Sequence, residues 1–161
     1  MAATIAPDAV HESRRQLGTS AKRGARTIAE WIFSVRSVDM SHRQPSAIVA
    51  VRGDRLALTS TTLTTEDGFV AELFAVSSVD AEGRMDRMVT FGEDDLRPAL
   101  DLLNEWYVAG EGAPYRDVVE TAWAMSYADE TDDPAAYAAI LDPEFRLTDH
   151  RKLVALPELG R

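Results

Sequence analysis

Between positions 47 and 91, apolar residues alternate with polar ones or gather in short runs broken by turn chemistry, a pattern that belongs to strands. Four strands are predicted: AIVAVR (47–52), RLALTSTTL (55–63), FVAELFAVSSV (69–79) and RMDRMVTF (84–91). The links Gly53-Asp54, Thr64–Gly68 and Asp80–Gly83 are short, so successive strands should run antiparallel as a meander. Leu56, Leu58, Phe74 and Val76 fall on one set of alternate positions, and Leu63, Leu73, Val79 and Val89 on others. Both faces of the sheet are therefore apolar and each needs cover, most simply helices on one and another segment or subunit on the other.

Helical periodicity flanks the meander. Thr19 or Ser20 can cap a first helix whose face is Ile28, Trp31, Ile32 and Val35, ending near Val38 before the turn-like DMSHRQPS of 39–46. After the strands, Asp94 or Asp95 opens a second helix with a stripe of Leu96, Ala99, Leu100, Leu103, Trp106 and Tyr107, closed by Gly110–Gly112. Pro114 starts a third, running to about Ala128 with Val119, Ala122, Trp123 and Tyr127 on one face. Asp133-Pro134 opens a short fourth over 135–141, and Phe145–Asp149 alternates as a fifth strand. The first 20 residues hold no sustained period and read as an arm. The expectation is an α+β protein with an arm at 1–20 and one domain at 21–161, in which 21–91 supplies a helix and the meander, and 92–161 the other helices and the last strand.

The third helix, the DDP-capped short helix and the strand FRLTDH resemble the opening of a SnoaL-like domain of the nuclear transport factor 2 superfamily. The runs FGEDDLRPALDLLNEWYVAGEGAPY (91–115) and LDPEFRLTDHRKL (141–153) are similar to the joints of tandem SnoaL-like modules. The resemblance implies a cone-like curved antiparallel sheet packed on helices around an apolar pocket. It also implies that the halves stand in permuted order, as a circular permutant or as a homodimer exchanging halves. The stretch 12–18 (ESRRQLG) is similar to 149–153 (DHRKL), as though the chain began and ended at one point of the fold.

Charge and composition narrow the partners. The chain carries 17 basic and 27 acidic residues, a formal net charge of −10, with the basic excess confined to the first 55 positions. An acidic body repels a phosphate backbone, so nucleic acid is an unfavoured partner. More economically, Arg14, Arg15, Lys22, Arg23 and Arg26 pair with acidic segments such as 93–95 or 130–133 of the same or a partner chain. With no cysteine there is no thiolate chemistry and no sulfur-based zinc motif, and His11, His42 and His150 are too scattered for a metal site. No apolar run approaches a membrane span and no secretory signal opens the chain, so a cytoplasmic protein without membrane contact is expected.

Candidate chemistry gathers at few points. Asp149, His150 and Arg151 form the densest acid/base cluster, with Asp149 a base, His150 titrating nearest neutrality and Arg151 able to polarise a carbonyl. A solvated strand end is the bland alternative. Glu72 lies within the apolar VAELFAV, where burial would raise its pKa, or else faces outward and confers solubility; the register decides. Trp31, Phe74, Trp106, Trp123, Tyr127 and Tyr137 are core residues or walls for a small, mostly apolar organic ligand. The resemblance implies a cofactor-independent acid/base enzyme of the cyclase, isomerase, dehydratase or epoxide hydrolase type; a catalytically silent ligand-sensing or dimerisation module is the alternative.

Overall fold

A computed structural model describes residues 4–15, 20–37, 42–43, 46–64, 68 and 70–148. Two compact units divide the chain, 1–114 and 115–161.

The first unit is built on one sheet. Its strands are β1 (Ile5–Ser13), β2 (Ser20–Arg23), β3 (His42–Arg43), β4 (Ala47–Arg52), β5 (Leu56–Thr64), β6 (Val70–Val79) and β7 (Met85–Phe91), with helix α1 (Ala25–Ser37) between β2 and β3 and helix α2 (Leu96–Ala109) after β7. They lie in the order β2-β1-β7-β6-β5-β3, and β4 also pairs with β5. The four predicted meander strands appear within a residue of their expected bounds and pair antiparallel. The α+β class is as expected.

The N-terminal arm is a correction. Residues 5–13 form β1, which runs parallel to β7, and β2 turns back antiparallel on it. In IAPDAVHES the strand register shifts between Ile5 and Val10, so the inward residues Ala6, Ala9 and His11 never fall into a clean period of two. That irregularity hid the strand. The first helix consequently starts at Ala25, five residues beyond the expected Ser20 cap, with Gly24 at φ 86 making the sharp entry from β2. Of the two similar stretches, 12–15 holds the end of β1, while 16–19 and 149–153 lie outside the described residues.

Register assigns the two faces. Leu58 pairs with Val76, Val76 with Val89, and Phe74 with Phe91, so these side chains share a face. Helix α2 closes that face with Ala99, Leu102 and Leu103, forming the larger core together with Leu58, Phe74, Val76, Val89 and Phe91. Each such large buried side chain contributes about 1.5–3 kcal/mol relative to exposure. The opposite face belongs to α1 at one end. There Ile28 packs on Ala6 and Ala9, with Ile5, Ile32 and Met85 around them.

A short 3-10 turn (Ala113–Tyr115) spans the boundary, and the second unit contains α3 (Arg116–Glu130) and α4 (Pro134–Ile140). Asp133 caps α4 as predicted, its Oδ1 accepting the N–H groups of Ala135 and Ala136 at 3.1 and 2.9 Å. The fifth strand is a second correction. Residues 145–148 hold no regular structure, and Phe145 and Leu147 stand 44% and 51% exposed.

Candidate functional site

Because side chains alternate across a strand, each residue of the meander belongs to one face or the other. The even positions of β5 and β6 go to the α2 core. The odd positions, including Ala57, Thr59, Leu73, Ala75 and Ser77, look the other way and are half-buried. In β7 the same parity places Met88 and Thr90 beside Ser77 and Ala75, and in β1 it places His11 beside Met88. This second face is small-residue and apolar along its middle and polar at the β1 end.

That polar end is compact. His11 is fully buried, and its ring stacks on Trp31 of α1 with centroids 4.1 Å apart and planes 25° from parallel. Lys22 of β2 places its Nζ 5.3 Å from the Trp31 ring centroid, a cation–π contact. On the sheet, His11 Nε2 lies 3.3 Å from Thr90 Oγ1, while His11 Nδ1 is buried and has no hydrogen-bond partner among the described residues. Burial, followed by the nearby Lys22 charge, pushes the His11 pKa down to about 4 against the opposing pull of Glu12. At neutral pH the ring is uncharged.

The sequence-predicted residues are distributed unevenly around this group. Trp31 is part of it. Phe74 and Trp106 lie on the far side of the sheet, Phe74 inside the α2 core and Trp106 under the Arg87 guanidinium at 3.9 Å. Glu72 shares that far side, since it occupies an even position of β6; it is exposed and accepts the Ser60 hydroxyl at 2.5 Å. In the second unit Trp123 is half-buried and Tyr127 exposed on α3, while Tyr137 lines a shallow cleft between α3 and α4 with Asp129, Asp132 and Asp133. Asp149, His150 and Arg151 lie outside the described residues. Among the described residues, no three metal-ligating side chains come together and no helix is long and apolar enough to cross a membrane.

His11 is the residue that sequence reasoning missed. Its signal was present only as one polar position following Ala9 and Val10 in a segment without period, and its partners Trp31 and Thr90 are 20 and 79 residues away. Only the parallel pairing of β1 with β7 brings them together.

No protein-family model and no curated protein matches the chain. Among solved structures it is similar to an isomerase assigned to the SnoaL-like family from Agrobacterium tumefaciens str. C58, with 22% identity over 56% of this chain and 74% of that one and a TM-score of 0.42. It is similar to TerC co-crystallised with polyporic acid, at 21% identity over 62% and 79% and a TM-score of 0.40. A protein from de novo design of diverse pocket structures gives 12% identity over 56% and 79%, with a TM-score of 0.42.

Proposed function

We propose that this chain binds a small, mostly apolar organic molecule against the sheet face that carries α1. The observation behind this reading is the unequal cover of two apolar faces. Helix α2 seals one with a dry core, whereas the other presents half-buried Ala57, Leu73, Ala75 and Met88 beside the buried His11 and its Trp31 neighbour. A surface of mostly small and apolar side chains, with the hydroxyls of Thr59, Ser77 and Thr90 and one imidazole among them, suits a mostly apolar ligand with few polar groups.

Methyl-resolved NMR of the full chain with a panel of neutral aromatic and alicyclic fragments tests the reading. The methyl groups of Ala57, Ala75 and Met88 should move, and those of Leu58, Val76 and Leu103 should not. Shifts confined to the second group would overturn it.

Two functional readings rest on that binding. In the acid/base reading, a cofactor-independent cyclase, isomerase, dehydratase or epoxide hydrolase draws its proton carriers from Asp149, His150 or Glu72, with Arg151 polarising a carbonyl, and Asp149→Asn abolishes turnover while sparing ligand binding. In the sensor reading the ligand is held and not converted. What favours the sensor is that Glu72 stands on the α2 side, so the described part of the proposed binding face carries no carboxylate. Pairing of two copies, or exchange of halves between them, is tested by the solution mass, which should be twice 17.7 kDa.

A further inference from the structure

Register extends the α1-side face of the sheet well beyond the cover that α1 provides. Helix α1 packs at the β1 end, on Ala6 and Ala9. At the other end Ile48 pairs with Thr59 and Val51 with Ala57, so both share the parity of that face, and they stand 71% and 50% exposed. A contiguous apolar patch left wet marks an interaction site. The second unit has the converse problem. Among its described residues only Ala128 is buried, while Val118 of α3 is 71% exposed. Ordering each residue costs about 1–2 kcal/mol, which a helix pair with one buried alanine does not recover by itself. An outside surface has to supply the burial.

We infer that α3 and α4 of a second copy of this chain lie across the α1-side face, and that the exchange is reciprocal, closing a two-fold pair. The sizes match. With its 15 residues α3 is about 22 Å long, and a packed helix pair is about 20 Å wide. The strands β4 to β7 make a face about 19 Å wide, along which the 10 residues of β6 run about 33 Å. Each contact covers about 400 Å² in projection, and two in a reciprocal pair give each chain about 800 Å², the size of a stable interface. The charges match as well. Residues 115–148 carry eight acidic and two basic side chains, whereas Arg14, Arg15, Lys22, Arg23 and Arg26 gather at the end of β1, on β2 and at the start of α1. A chain's own helix pair falls short of this face. Only residues 110–115 separate α2 from α3, three of them in the 3-10 turn, a reach of about 16 Å at most. Helix α2 lies on the opposite face, and helices on opposite faces of one sheet stand about 20 Å apart. On the binding reading above, the bound molecule then lies between two chains.

The chain has no cysteine, so single introduced thiols report the contact cleanly. Full-length Val118→Cys and Val51→Cys chains, each altered at an exposed position, are mixed in equal amounts and joined with a short bis-maleimide. The product should have twice the 17.7 kDa mass and join position 118 of one copy to position 51 of the other. Links between two copies of position 51 in its place mean sheet on sheet and overturn the inference. So does a link closed within one chain of the double variant, or a wild type that stays at 17.7 kDa. Val118→Glu should weaken self-association about tenfold or more, because it puts a charge into the contact. Amide hydrogen exchange in α3 and α4 should quicken in that variant, and on dilution of the wild type, with β5 and β6 unchanged; protection in α3 and α4 that ignores both overturns the inference. A monomer in which the neutral fragments still move the methyls of Ala57, Ala75 and Met88 overturns the docking and leaves the binding reading standing. A linked dimer in which no fragment moves them overturns the binding reading and leaves the docking standing.

Discussion

Glu111 Oε2 accepts the backbone N–H of Asp54 at 2.9 Å, tying the segment after α2 to the turn between β4 and β5 across 57 positions of sequence. Gly53, next to that amide, has φ 57, and a Cβ there would stand 1.8 Å from the same carboxylate oxygen. Gly53→Ala therefore meets two penalties at once: a left-handed backbone and a displaced Glu111. The side-chain end can swing aside, so the backbone penalty dominates and about 1–2 kcal/mol of stability should be lost. Glu111→Ala should cost about 1 kcal/mol. Urea unfolding of both single variants and the double variant should show less than additive losses, because the alanine at 53 has already disturbed the Glu111 contact.

The core under α2 should be intolerant of truncation. Leu103 is fully buried among Leu58, Phe74 and Val76, and Leu103→Ala leaves a void there. About 2–5 kcal/mol should be lost, read as a lower urea midpoint at unchanged slope. Leu73→Ala, on the half-buried opposite face, should cost less.

Acid should weaken the fold through His11. Its pKa is about 4 in the folded chain against 6.5 ordinarily, so the unfolded chain binds more protons between those values. Stability contributed by neutral His11 is therefore complete above about pH 6.5, declines as pH falls towards 4, and changes no further below. The slope from this one group is at most about 1.4 kcal/mol per pH unit. Comparing wild type with His11→Phe by thermal unfolding from pH 7 to pH 4 isolates it from the relief of the net negative charge. The variant should lose less stability across that window.

The second unit should respond to its own cap. Asp133→Ala removes the acceptor for two N–H groups at the start of α4 and should cost about 1 kcal/mol, seen as reduced helical circular dichroism on mild heating. Asp132 holds φ 51, a conformation glycine adopts without penalty. Asp132→Gly should be neutral or slightly stabilising in the same measurement.

The meander was legible because its strands alternate over six to ten residues and are separated by short turns, so local pattern and final pairing agree. The Asp133-Pro134 cap was legible for the same reason, and the α2 stripe in part: Ala99 and Leu103 are buried as read, whereas Leu96 is exposed and the buried Leu102 and Val108 fell outside the stripe. The first strand was not, since its register shift breaks the period and its pairing with β7 spans some eighty residues. Phe145 and Leu147 err in the other direction, alternating like a strand where none forms. Trp31 was readable as an aromatic candidate, but its partner His11 was invisible without the tertiary pairing. Glu72 needed only one bit of information, the face it occupies, and a single sequence does not contain that bit.

The parity of β7 makes that strand a boundary between two chemistries. Val89 and Phe91 belong to the sealed core, and Met88 and Thr90 to the face with His11, although all four are consecutive in the chain. Substitutions at neighbouring positions should therefore divide cleanly, one class changing stability and the other ligand selectivity. A one-residue insertion or deletion within the strand would exchange the two sets wholesale, so this stretch can vary in side chain but scarcely in length.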